Sequence, residues 1–247
     1  MTNIPVGLQM YTLRDLCAKD FLGTLEKVAE IGYSGVELAG LYSVEPSKVR
    51  ETLDSLGLKC IGTHMGGSSI EQIAEVNHQL GSSYVWGPCL PRGRLPENRE
   101  ECVEMAQFAN ENGRKLKDEG IQLVYHNHSK EFEKIDGRYI MDWLLEETDP
   151  SYVQAEIDVM WVQYAGLDPA SYILKYPGRV PLVHVKDMDE NKQFTEVGKG
   201  VLDFDSIFDA CEKVGSKWYI VEQDVCKLPP LESVRQSYQF FVERGMV

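Results

Sequence analysis

Short apolar runs alternate with longer stretches of helical periodicity along the whole 247-residue chain, and the pair is repeated eight times. The runs fall at 4–10, 35–38, 58–63, 83–87, 121–126, 152–158, 180–185 and 218–222. Between them, apolar residues recur at three- and four-residue spacing, as in Phe21, Leu22, Leu25, Val28, Ala29 and Ile31. Further helical stripes are expected within 46–56, 70–80, 97–118, 140–145, 170–176 and 204–214, and through Val234, Tyr238 and Phe241. Strands that alternate with helices pair in parallel through right-handed crossovers. Eight such units close most simply into an α/β fold, a (β/α)8 TIM barrel, here one domain spanning 1–247. A doubly wound open sheet is the alternative, because periodicity does not report closure.

Charge narrows the function classes. The chain carries 25 Lys and Arg against 39 Asp and Glu, a formal net charge of −14. That surface repels nucleic acid and anionic lipid, and no run of basic residues offsets it. The expected partner is a small molecule, with neither nucleic acid nor membrane. No stretch approaches the ~20 apolar residues of a membrane span. The first residues, MTNIPVGLQMYTLRD, lack the pattern of a signal peptide. The six cysteines, at 17, 60, 89, 102, 211 and 226, form no CxxC pair, so they are expected to be free thiols in a cytoplasmic protein. Cys60 and Cys89 are placed in buried strands.

A barrel interior is built from Val, Ile and Leu, and barrel active sites lie at the C-terminal ends of the strands. Polar residues at those ends are therefore site candidates. Here Gln9 ends the first strand, Glu37 the second, His126 and His128 the fifth, Asp158 the sixth, His184 and Lys186 the seventh and Glu222 the eighth, while His64 follows the third. Residues two apart on a strand share a face. His126 and His128 thus point one way, as do Glu156 with Asp158 and His184 with Lys186, whereas Asn127 is expected to face the helices. Any one of these could be a hydrogen-bonded strand end. Imidazoles and carboxylates converging from strands five to eight suit a divalent metal.

Several ordered segments carry a family resemblance: GLQMYTLRD (7–15), IGYSGVEL (31–38), IGTHMG (61–66), YHNHSKEF (125–132), EIDVMWVQYAGLDP (156–169), PLVHVKDM (181–188), EVGKGVLDF (196–204) and YIVEQD (219–224). The chain resembles the xylose isomerase-like barrel superfamily, the sugar phosphate isomerase/epimerase proteins. The resemblance implies one divalent ion, manganese first and zinc, cobalt, magnesium or iron otherwise, held by a Glu, Asp, His, Glu quartet. Asp158, His184 and Glu222 match three of its members. The first differs: where many relatives have Glu-Asn-His, this chain has His126-Asn127-His128, similar to a subgroup with HNH at this point. His126 is assigned to the ligand position.

The substitution bears on mechanism. Epimerases of the family pair two Glu residues across the sugar, and only Glu222 remains here. His128 resembles the catalytic His of relatives that eliminate or hydrate 3-keto sugars. The expected activity is a metal-dependent sugar isomerase or epimerase, acting through an enediolate. The alternative is a lyase, hydratase or dehydratase on a 3-keto sugar or keto-inositol. His128, Glu222 and Lys186 are the expected catalytic residues. Gln9, Glu37, His64, Trp161 and Lys186 are expected to contact the substrate. Phe132 is either lid or core. The glycine-rich 196–200 loop follows strand seven, where barrels often bind phosphate, although such turns are common without one. Asp203 is expected to cap the next helix. A dimer or tetramer is expected by analogy. An apurinic endonuclease of this superfamily would need more metal ligands than five His allow and a basic surface. A non-catalytic sugar-binding barrel is the reading from another class, and a Rossmann dehydrogenase is disfavoured by the lack of GxGxxG after strand one.

Overall fold

A computed structural model describes residues 4–64 and 69–247. Eight parallel strands close into a barrel: β1 (Val6–Gln9), β2 (Gly35–Leu38), β3 (Lys59–His64), β4 (Tyr84–Trp86), β5 (Gln122–His126), β6 (Val153–Asp158), β7 (Leu182–Val185) and β8 (Trp218–Val221). Each strand neighbours its successor, and β8 pairs with β1 through Val6–Tyr219 and Leu8–Val221. The open-sheet alternative is thereby excluded. Eight main helices surround the barrel: α1 (Phe21–Ile31), α2 (Pro46–Leu56), α3 (Ile70–Leu80), α4 (Arg99–Asp118), α5 (Ile140–Glu147), α6 (Pro169–Leu174), α7 (Phe204–Val214) and α8 (Pro230–Glu243). None of the described helices is long and apolar enough to cross a membrane.

Local chemistry sets the helix ends. Asp20, Asn98, Asp168 and Asp203 each accept a backbone N–H as N-caps, and Ser69 with Gln72 forms a capping box. The expected cap at Asp203 is therefore present. Expected element ends shift by a few residues. Strand one stops at Gln9 because Met10 opens a 3-10 turn, and Glu222 lies just beyond β8. Cys60 lies in β3, but Cys89 falls in a buried segment after β4, not in a strand. All six thiols are free. Met65 and Gly66, from the third matched segment, lie outside the described residues.

The core has two parts. Outward-facing strand residues such as Val36, Val85, Leu123, Ile157, Val183 and Tyr219 pack against the helices. Inside the barrel, Ile61, Val124, Leu182 and Ile220 form a dry plug flanked by Tyr84, Trp86 and Trp218. Burying each aliphatic contributes about 1.5–3 kcal/mol, and the layer gives the polar residues above it a rigid floor. Glycine makes room for the plug. A methyl on Gly35 would stand 2.8 Å from the Lys59 carbonyl oxygen and 3.0 Å from Ile61 Cγ1. The carbonyl belongs to the β2–β3 ladder and cannot retreat. Gly35→Ala is expected to cost about 1–3 kcal/mol, visible as a melting temperature lower by several degrees. A melting temperature equal to wild type would show that the neighbouring strands yield freely.

Parity breaks once. Val36 pairs with Cys60 but Glu37 pairs with Gly62, so β3 carries an extra residue opposite this step. After that bulge Thr63 faces outward and bonds Asn77 of α3 at 2.9 Å, and His64 turns into the barrel.

Candidate metal centre and active site

The strand ends deliver their polar side chains to one place above the apolar plug. His126, Asp158, His184 and Glu222 are buried, and one ligating atom from each lies within 4.8 Å of the others. Asp158 shows how backbone structure aims a ligand. It ends β6 and caps the short helix Val159–Tyr164, so Oδ1 accepts the Trp161 N–H at 3.0 Å. Oδ2 is buried and turns into the cluster, ion-paired with Lys186 Nζ at 3.1 Å and with His126 Nε2 4.0 Å away. Asn127 holds this end in place. It lies beyond the last residue of β5, where strand alternation no longer applies, and it faces the end of β6, not the helices. Its Oδ1 accepts the Asp158 N–H at 3.0 Å and its Nδ2 donates to the Asp158 carbonyl at 3.3 Å.

Beneath the quartet lies a second polar layer. His184 Nδ1 is 2.8 Å from Glu222 Oε2, while its Nε2 is 2.7 Å from Glu37 Oε2 and 3.3 Å from Glu156 Oε1. Gln9 Nε2 donates to the same Glu37 oxygen at 2.7 Å, and Gln9 Oε1 accepts from Tyr11 N. Gln9 and Glu37, expected to meet the substrate, are wholly buried; Gln9 and Glu37 Oε2 have protein partners, while Glu37 Oε1 has none. A carboxylate behind a ligating imidazole fixes its ring and tautomer. His64 completes the layer, with Nε2 3.2 Å from Glu37 and 3.1 Å from Glu156, and its ring is partly open to the mouth. Glu156 was visible by its parity with Asp158, yet its place beside both imidazoles required the fold.

Charge is distributed unevenly. Burial pushes His126 well below the ordinary imidazole range, helped by the positive charges of His184 and Lys186. It is thus neutral, the form that binds metal, and its Nδ1 has no partner. Burial opposes charge on His184 too, but the carboxylates of Glu156 and Glu37 outweigh it and raise its pKa. Lys186, 1% exposed, stays an ammonium: burial is overcome by Asp158, Glu222 and Asp224, whose oxygens lie 3.1, 2.7 and 2.8 Å from Nζ. Burial would raise Glu222, but Lys186 and then His184 hold it well below the usual carboxylate range. Asp224, two residues beyond Glu222, was not anticipated from the sequence.

His64 yields a stability prediction. Burial lowers its pKa, but Glu37 and Glu156 more than reverse this and raise it to about 10. A raised imidazole pKa stabilises the fold fully below the unfolded value of ~6.5 and loses that stabilisation as pH climbs through the folded value. In a chelator, the melting temperature is expected to fall between pH 7 and 10, and His64→Phe should flatten the decline. An equal slope in both proteins would show that His64 is not the group responsible.

His128 stands apart from these contacts. It is exposed at the mouth, edge-on to His126 with ring centroids 4.9 Å apart, and no described group hydrogen-bonds its ring. Its own N–H donates to Glu131 Oε2 at 2.9 Å, which fixes the backbone. Trp161 lies beside it at 5.9 Å and packs edge-on against Tyr164 and Phe194. Phe132 is core, packed on Tyr139 and Tyr172.

The donor set fits a divalent ion. It offers two imidazoles and two carboxylates, His126 Nδ1 is buried without a partner, and Lys186 already places positive charge beside both carboxylates. A family model described as xylose isomerase-like TIM barrel matches residues 25–244. The chain belongs to that family. Among curated proteins, inosose dehydratase of Clostridium beijerinckii is 23% identical, covering 97% of this chain and 95% of its own. A solved sugar phosphate isomerase/epimerase from Parabacteroides distasonis is 26% identical with a TM-score of 0.89, covering 100% of this chain and 96% of the other. The IOLI protein, solved with a zinc atom, shares the fold at 14% identity and a TM-score of 0.76, each chain covered to 97%.

Proposed function

We propose that this member of the xylose isomerase-like family is a divalent-metal-dependent lyase that dehydrates a keto sugar or keto-inositol. The observation that carries the reading is the buried quartet His126, Asp158, His184 and Glu222, with one ligating atom from each within 4.8 Å of the others. The dehydratase relatives and the zinc held by IOLI support it. The donors suit manganese, zinc, cobalt or iron.

A divalent ion held there would polarise the substrate carbonyl and acidify the adjoining C–H. His128, exposed one strand repeat beyond His126, takes that proton. Lys186, held charged by its three carboxylates, supplies positive charge that stabilises the enediolate oxygen. His128 then returns the proton to the departing β-hydroxyl on the same face, so water leaves, a C=C bond forms and the base is restored. One base suffices for this sequence. His64 and Trp161 line the mouth and orient the ring.

Isomerisation or epimerisation is the second reading, supported by the 26% identical neighbour. It begins with the same proton but returns it to another carbon or from the other face, a task that falls to Glu222. Proton NMR in D₂O, with metal-loaded protein and a panel of keto-inositols, 3-keto sugars and free sugars, tests both. Loss of the signal beside the carbonyl together with a new unsaturated ketone is expected. Deuterium incorporation with a rearranged sugar would favour the isomerase. Bound metal with no exchange from any member would leave a sugar-binding barrel as the better account.

A further inference from the structure

His184 joins the two polar layers of the barrel mouth. Its Nδ1 faces Glu222 in the quartet, and its Nε2 faces Glu37 and Glu156 on the other side. His64 reaches the same two carboxylates from β3, which it does only because of the bulge in that strand. One ligating atom from each of Glu37, His64, Glu156 and His184 therefore lies within 4.8 Å of the others, a second set that shares only His184 with the quartet. Glu37, Glu156 and His184 are wholly buried, while the His64 side chain is 18% exposed at the mouth.

Protons alone serve this lower layer poorly. Each imidazole Nε2 carries one hydrogen at most, yet the two nitrogens make four contacts with carboxylate oxygens, at 2.7, 3.1, 3.2 and 3.3 Å. Glu37 Oε2 is crowded: it faces both nitrogens and also accepts from Gln9 Nε2. Glu156 Oε1, buried beside His184, is left without a hydrogen bond. A single divalent ion satisfies all four residues at once. Tetrahedral bonds of ~2.0–2.1 Å set neighbouring ligand atoms about 3.3–3.4 Å apart. Three of the four contacts lie within about 0.3 Å of that spacing. Two carboxylates and two neutral imidazoles balance a divalent charge, so the layer stays neutral above its apolar floor. Gln9 braces the Glu37 carboxylate from behind, as supports of metal ligands do.

We propose that Glu37, His64, Glu156 and His184 form a second divalent-metal site, suited to zinc or cobalt, joined to the quartet through the two ring nitrogens of His184. The site goes beyond the quartet's ion and does not depend on which reaction the protein performs. Holding both ions releases the last ring proton of His184 to solvent, a cost that makes the second ion the more weakly held. His64, the one ligand open to the mouth, is its way in and out, so this ion exchanges freely and is lost on dialysis. The experiment titrates dialysed protein, carrying one equivalent of cobalt, with further cobalt(II), and measures bound and free ion by ultrafiltration. A second equivalent should bind saturably, with a further rise in the visible absorption of four-coordinate cobalt. In His64→Gln protein the first equivalent should remain and the second should weaken by roughly tenfold or more. Glu156→Gln should do the same, and it carries the test if His64→Gln does not fold. Saturation of the wild type at one equivalent, or a second equivalent that both variants retain, would overturn the proposal. Two bound ions without proton exchange from any sugar would instead overturn the lyase reading and leave the second site standing.

Discussion

Asp158→Ala protein is expected to emerge from metal loading with no stoichiometric ion and with turnover lowered by roughly 10²–10³-fold or more. Asp158 turns one buried oxygen into the quartet, where its protein contact is the Lys186 ammonium, and its other oxygen caps the Val159–Tyr164 helix. The substitution therefore removes two functions. Loss of the cap costs about 1 kcal/mol, too little to unfold a barrel of this size. Lys186 retains Glu222 and Asp224, so the ammonium is not stranded. Asp158→Asn separates the functions: it can keep the cap while giving up the charge. Elemental analysis of the dialysed proteins, read beside their melting temperatures, checks the prediction. Full metal content in both variants would remove Asp158 from the ligand set and with it the quartet.

His128→Ala is expected to behave in the opposite way. The residue is exposed, and only its backbone N–H is tied down, so metal content and melting temperature should match wild type. Proton abstraction should nevertheless fall by about 10²–10⁴-fold, the range typical of a lost general base. Deuterium incorporation into the substrate carbon reads this step directly, whichever product follows. Because His128 lies outside the buried cluster, a slow variant with normal metal content cannot be attributed to a collapsed site. Exchange at near wild-type rate would move the base elsewhere, with His64, partly open to the mouth, the next candidate. The pair of variants thus separates holding the ion from moving the proton.

Much of this arrangement was legible before any coordinates. The eight-fold alternation pointed to a barrel, whose closure the β8–β1 pairing settled, and strand parity placed His126, Asp158, His184, Lys186 and Glu222 on the interior face, where the structure has them. The partners of the glycine-rich loop and of Gln9 and Glu37 were not legible in the same way. A loop's composition shows that its amides can be donors, not which acceptor reaches them first, and here Asp187 accepts those of Gly198 and Gly200. Gln9 and Glu37 read as mouth residues because they end strands, and the fold adds that Gln9 bonds Glu37 Oε2, which also meets His184.

Sequence by itself determined the order of elements, the alternation of faces along regular strand and the chemistry brought to the strand ends. These follow from repeats of two and near 3.6 residues, which depend only on neighbours along the chain. Tertiary structure alone decided what each polar group meets. Glu37 and His184 are 147 positions apart, and their 2.7 Å contact exists only because the barrel closes. His64 points inward only because β3 gains a residue against β2. Contacts of that kind depend on register between strands that the local pattern does not encode.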